Sequence, residues 1–230
     1  MNLDKSPVKV NLGCGVNIID GDGWINCDNS LVAKIRRTPL WSGLKLLIKF
    51  GFISNFYLNY PKLQIFDIRK KLPFNDNSVQ FIYCSQVVEH LHLYELQQFL
   101  KECRRVLSAG GIIRILTPDL RKITELYLRR DLKLFTENDY LQSDLLADHF
   151  NLIFYPRSWI QREKRSIFTR FLDSIPEHHK YIFDREALSE LMFAAGFNRV
   201  ECVATSESNF PNARELDKFQ EVSLEIEASH

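Results

Sequence analysis

Two glycines and two aspartates are spaced so that they could hold a nucleoside. Gly13 and Gly15 close a short apolar run, Val8–Leu12, and Asp28 and Asp67 each follow a further apolar run. A Gly-x-Gly turn at the end of a buried strand lets a ligand approach bare backbone. A carboxylate beyond the next strand can accept both hydroxyls of a ribose. A second carboxylate, one strand further, can accept from the exocyclic amine of adenine. Either aspartate alone reads as a turn or cap residue; both, beside Gly-x-Gly, point to an adenosine site. Ser85 and Gln86 follow another apolar run, and His90 comes shortly after them. A histidine there is placed to take a proton from a reacting group, or equally to serve as a helix residue bonded to nearby backbone.

These residues need a parallel sheet to bring them to one rim. The sequence predicts strands at Val8–Leu12, Trp24–Asp28, Leu63–Phe66, Val79–Cys84 and Gly111–Leu116, with closing strands at Val200–Thr205 and Val222–Glu227. Only eight residues separate Gly15 from Trp24, so a shortened helix or a loop is expected there. Tyr94–Leu107 reads as a helix, with Leu96, Phe99, Leu100, Cys103, Val106 and Leu107 on one face and Gly110-Gly111 at its end. Asp184–Ala195 reads as a second, with an aspartate N-cap and Gly196 past its end. Strands alternating with helices indicate an α/β, doubly wound parallel sheet. Residues 31–60 form an insertion between strands two and three. It carries Lys34, Arg36, Arg37, Lys45 and Lys49, no acid, and many apolar and aromatic residues. It reads as a helical side layer on the sheet, or as a basic amphipathic surface that meets a membrane or a lipid-linked substrate.

At 230 residues with 45% apolar content, the chain suits one domain spanning 1–230. A formal charge of +1 points to neither nucleic acid nor a membrane field. The five cysteines are scattered, without ligand spacing, and read as small buried hydrophobes in a reducing compartment. With no apolar signal region and no long uncharged apolar run, a cytoplasmic location is expected, peripheral at a membrane if 31–60 is interfacial.

A dinucleotide fingerprint would need a third glycine where Ile18 stands. Its absence and the short connection to Trp24 favour a cofactor without phosphates over a nicotinamide, and S-adenosylmethionine fits. The motifs Asn-Leu-Gly-Cys-Gly (11–15), Gly-Trp-Ile-Asn-Cys-Asp (23–28) and Asp-Ile-Arg-Lys-Lys-Leu-Pro-Phe-Asn-Asp-Asn-Ser-Val-Gln-Phe-Ile-Tyr (67–83) resemble class I S-adenosylmethionine-dependent methyltransferases of the type 11 group. Glu89-His90-Leu91, Arg105-Val106-Leu107 with Gly110-Gly111, Pro118-Asp119 and the run from Leu188 to Phe197 continue the resemblance.

The resemblance implies a Rossmann-like, mostly parallel sheet with an antiparallel terminal strand and helices on both faces. It implies that Asn11, Gly13, Cys14 and Gly15 belong to the cofactor site, the Gly-Cys-Gly turn passing along the methionyl part. Asp28 would bind the ribose, Asp67 and Ile68 the adenine, and Ser85 and Gln86 would lie under the sulfonium. His179 occupies a position that lines the acceptor pocket in related sequences, which makes it a catalytic candidate beside His90. The acceptor is expected to be an oxygen or nitrogen of a small molecule, a sugar or lipid-linked glycan intermediate by family association, bound in part by 131–180. A non-catalytic binding protein of the same fold remains the alternative. Nucleic acid is not an expected partner. Gln86-Val-Val-Glu89-His90 is one carboxylate short of the Glu-x-x-Glu-His metal pattern of some relatives. One glutamate and one histidine make a thin site, and no metal is expected.

Overall fold

A computed structural model describes residues 8–21, 23–49, 63–131, 146–151, 179–218 and 220–229. Six strands form one sheet: β1 (Val8–Leu12), β2 (Trp24–Cys27), β3 (Val79–Ser85), β4 (Leu107–Pro118), β5 (Arg199–Cys202) and β6 (Ser223–Ser229). Their order is β2-β1-β3-β4-β6-β5. The β2, β1, β3 and β4 neighbours are parallel. The β6 strand runs antiparallel to both β4 and β5. The expected mixed sheet is therefore present, and its parallel part brings the ends of β1, β2, β3 and β4 to a single rim.

The predicted third strand at 63–66 is reduced to one parallel bridge, between Gln64 and Cys27. The run is too short to extend the ladder, because Phe66 turns to pack edge-to-face on Phe74, with ring centroids 5.8 Å apart, and Asp67 opens a turn. The bridge still places this segment outside β2. The connection from Gly15 to Trp24 is a loop at every described position.

Helix α1 (Leu31–Arg36) and helix α2 (Leu40–Lys49) form the described part of the insertion. Helix α3 (Leu93–Val106) buries Leu96, Phe99, Leu100, Cys103 and Val106 against Val10, Leu12, Ile82, Cys84 and Ile115 of the sheet. It does not end at Gly110-Gly111 as predicted. Leu107 is already extended and the chain runs directly into β4. The glycines belong to that strand: a Cβ at Gly111 would lie 2.8 Å from the Gln80 carbonyl oxygen. The residue must stay bare where β4 passes β3 at an irregularity between Val79 and Phe81.

Helix α4 (Leu120–Arg129) starts at Asp119, whose side chain accepts from the amides of Arg121 and Lys122. Helix α5 covers Leu146–Asn151. Helix α6 (Arg185–Ala194) has the predicted Asp184 cap and joins the α3 side of the core through Leu188 and Met192. The opposite face is covered by Ile19, Phe210 and the short helix α7 (Ala213–Leu216), packed on Tyr83 and Leu116. Beneath that cover Arg114 is fully buried and pairs with Asp217, Glu225 (2.9 Å) and Glu227 (2.7 Å). This network pins the chain around α7 to β4 and β6. No helix among the described residues is long and apolar enough to cross a membrane.

Candidate functional site

The rim is built from the first strand outward. Gly13 and Gly15 both have left-handed backbone, at φ 67° and 53°. At Gly13 a Cβ would lie 2.5 Å from Val87 Cγ2, so the turn closes against the chain leaving β3. Around Gly15 the same construction meets nothing within 4 Å. Between them the Cys14 amide donates to the Cys27 carbonyl at 2.9 Å. Burial pushes the Cys14 thiol well above the ordinary range, with the Asp28 carboxylate adding to the shift. The turn thus offers ligands backbone rather than a thiolate.

Asn11 is spent on the loop that follows. Its amide donates to the Asn17 carbonyl and to Asn26 Oδ1, both at 2.9 Å, and Asn26 in turn pairs with both backbone groups of Ile19. Asn11 and Asn26 therefore hold residues 16–19 in place without a crossover helix.

Backbone bonds join the end of β2 at Asp28 to the segment that leads to Asp67. The Asp28 amide donates to the Gln64 carbonyl at 3.1 Å, one residue beyond the Cys27 bridge. Asp28 Oδ1 accepts from the amides of Asn29 and Ser30, guiding the chain into α1. Asp67 is gripped by Arg69. Oδ1 accepts from the Arg69 amide and Nε, and Oδ2 from Nη2 at 2.8 Å. The guanidinium holds the Asp67 carboxyl below its usual range. A carboxylate has about four acceptor positions, so these three bonds leave Oδ2 capacity for one more donor. Ile68 packs against the main core.

The insertion supplies a wall behind the turn. Trp41 of α2 is buried with Cys14, Ala33 and Leu63, and the Arg36 guanidinium lies over its ring at 5.0 Å. Residues 50–62 and most of 131–180, including His178, lie outside the described residues.

Ser85 ends β3 opposite Leu116. Gln86 is held in left-handed backbone at φ 56°, and its side chain donates to Ser223 Oγ at 3.2 Å. A non-glycine residue in that conformation is strained, and such strain concentrates at functional sites. The strain turns the chain into a single 3-10 turn, Val88–His90.

That turn gathers ionisable groups the sequence only half disclosed. Glu89 is fully buried. Its Oε2 accepts from the Thr117 hydroxyl at 3.1 Å, and its backbone carbonyl accepts from the amides of Lys180 (2.7 Å) and Tyr181 (3.3 Å). The last two bonds bring His179 to the rim. Its Nε2 lies 4.0 Å from Glu89 Oε1, and its ring meets that of His90 edge-on, centroids 4.9 Å apart. Burial pushes the Glu89 carboxyl up to about 7. The two histidines named from sequence thus lie together with Glu89, which the Gln86-Val-Val-Glu89-His90 run joins to His90 alone. Thr117 on Glu89, and Arg69 on Asp67, are residues that sequence reasoning missed, and the sequence carries no signal for either. Two further grooves are lined by Arg185, Arg199, Glu201 and Cys202 and by Asp119, Lys122, Asp184 and Glu186.

Residues 53–115 match the family described as "Methyltransferase domain". The match covers 63 of the chain's 230 residues. A relative from Mycobacterium tuberculosis (strain CDC 1551 / Oshkosh), named a "Probable S-adenosylmethionine-dependent methyltransferase", is 34% identical over 61 residues, covering 26% of this chain and 22% of its own. One of the same description from Mycolicibacterium smegmatis is 37% identical over 71 residues, covering 29% and 26%. The chain spans about a quarter of the length of these curated relatives. An S-adenosylmethionine-dependent methyltransferase from Mesorhizobium loti, solved as a crystal structure, aligns over 100% of this chain and 94% of its own at 14% identity, with a TM-score of 0.46. The curated relatives are named as dependent on S-adenosylmethionine. The donor set fits it: a bare left-handed turn with open space at Gly15, and carboxylates at two adjacent chain ends.

Proposed function

We propose that the protein transfers a methyl group from S-adenosylmethionine to an oxygen or nitrogen of a small molecule, such as a sugar or a lipid-linked glycan intermediate. The observation that carries this reading is the Asp28–Gln64 backbone bond, which joins the end of β2 to the segment leading to Asp67, along a rim that begins at the Gly13–Gly15 turn. Asp28 would accept from the ribose hydroxyls and Asp67 Oδ2 from the adenine amine, with Ile68 against the ring. Gly13, Cys14 and Gly15 would line the methionyl part, and Ser85 and Gln86 the region of the sulfonium. When bound, the cofactor supplies an electrophilic methyl group, so the protein's task is alignment and removal of the acceptor's proton. His90 and His179 are the groups at which that proton would leave, with the buried Glu89 beside them to stabilise the charge they gain.

Calorimetric titration of S-adenosylmethionine tests this directly. Saturable one-to-one binding is expected, weakened by at least an order of magnitude in Asp28→Ala and Asp67→Ala, consistent with the loss of charge-assisted bonds. Wild-type protein, stripped of any co-purified cofactor, that binds nothing would sink the reading. Binding without transfer to any sugar or amine acceptor would favour the non-catalytic alternative.

A second reading concerns the acceptor's source. Leu40 and Leu46 of α2 are 71% and 56% exposed, on a segment with five cations and no acid. This favours peripheral contact with an anionic lipid surface. Co-sedimentation with anionic vesicles at low salt, lost at high salt, is the expected result; no co-sedimentation at low salt would end the idea.

A further inference from the structure

Glu89, His90 and His179 each offer a metal-ligating atom, and these atoms all lie within 4.8 Å of one another. We propose that the three side chains form a binding site for a divalent transition-metal ion of the zinc class. Glu89 is fully buried, yet its Oε1 has no hydrogen-bond partner among the described residues and is aimed at the two imidazoles. A buried carboxylate oxygen left so is costly, and buried charges are ordinarily paired or coordinate metals. Sequence spacing joined only Glu89 and His90; the third ligand arrives because Lys180 and Tyr181 bond to the Glu89 carbonyl.

The donor types select the ion. Two imidazole nitrogens and one carboxylate oxygen suit zinc, cobalt, manganese or iron, whereas magnesium and calcium prefer all-oxygen sites. Metal–ligand bonds of about 2.0–2.2 Å at tetrahedral angles hold ligand atoms about 3.3–3.6 Å apart. The ligand atoms here lie within 4.8 Å of one another, so closing on an ion requires side-chain rotations of about 1 Å. Support behind the ligands is already in place. The Thr117 hydroxyl fixes Glu89 Oε2, and the Lys180 and Tyr181 amides fix the backbone between the ligands. Three protein ligands leave coordination positions open, as in catalytic rather than structural sites.

The binding site stands without the methyl-transfer reading. Its use in catalysis rests on that reading. There an acceptor hydroxyl at an open position would have its pKa lowered and release its proton to solvent. Its oxygen would then form the new bond to the methyl carbon as the carbon–sulfur bond breaks, with no change in oxidation state. The histidines would serve as ligands in place of acting as bases.

The experiment is titration of metal-free protein with Co2+ followed by visible ligand-field absorption and calorimetry, then displacement by Zn2+. Glu89→Gln, His90→Ala and His179→Ala are compared, each checked for fold by circular dichroism. Equimolar binding is expected, weakened about 10–100-fold by each substitution. No stoichiometric binding by the wild type, or binding unchanged in all three folded variants, overturns the site. If a variant fails to fold, His179→Gln and His90→Asn replace it, with the same weakening expected. Transfer that survives chelation but fails in the histidine variants overturns the metal's part in catalysis and leaves the histidines as bases. Metal bound at full stoichiometry by a protein that never binds S-adenosylmethionine supports the site and sinks the methyltransferase reading.

Discussion

Gly13 and Val87 meet across the rim, the glycine's missing Cβ leaving the space that the valine methyls fill. Two parallel strands end in that contact, so one residue both bares the backbone and sets the spacing of β1 and the chain leaving β3.

Gly13→Ala is therefore expected to destabilise the fold twice over. Left-handed backbone costs a non-glycine residue about 1–2 kcal/mol, and overlap with Val87 adds about 1–3 kcal/mol. Urea midpoints check this. The Val87→Ala partner should recover the overlap but not the strain; a double variant no better than the single one would refute the contact.

Asp67 should stay ionised well into acid. Arg69 lowers its pKa in the folded chain relative to the unfolded one. The contribution to stability is thus present above the unfolded value and is lost as pH falls through the folded one. Arg69 is about half exposed, so the pair is worth under about 1 kcal/mol. The clearer readout is the acid limb of S-adenosylmethionine binding, which should move to higher pH in Arg69→Ala. An unmoved limb would show that Asp67 does not govern binding.

Arg114 has no exposure and faces three carboxylates. Arg114→Met strands those charges and should cost about 3–5 kcal/mol in denaturant unfolding. Adding Asp217→Asn should return part of the loss. A loss below about 1 kcal/mol would mean that the network contributes little.

Four of the five cysteines are buried and Cys202 is exposed. One thiol per native chain should react with an aromatic disulfide reagent, all five after unfolding, and none quickly in native Cys202→Ser. Fast reaction at Cys14 would indicate an open Gly13–Gly15 turn.

Periodicity makes α3 legible, since its apolar face is continuous from Leu96 to Val106. The strands β1 and β3 are equally plain as apolar runs ending in Gly13 and Ser85. Local signals fail where a neighbour decides. Gly110-Gly111 resembles a helix stop, yet the Gln80 carbonyl is what requires Gly111 to be bare. Leu63–Phe66 resembles a strand, yet only Gln64 pairs. At the site, the order of acids along the rim is readable from spacing. The grip of Arg69 and the meeting of His90 with His179 are not, because each depends on where the chain returns in space.

The bonds from Lys180 and Tyr181 to the Glu89 carbonyl carry a consequence for divergence among related chains. They give the polypeptide a fixed point of re-entry beside Glu89 and His90, whatever sequence precedes it. Residues 152–178 can then change in length and composition while His179 keeps its station. Such an arrangement is modular: one interval can be exchanged with the Glu89–His90–His179 cluster inherited intact.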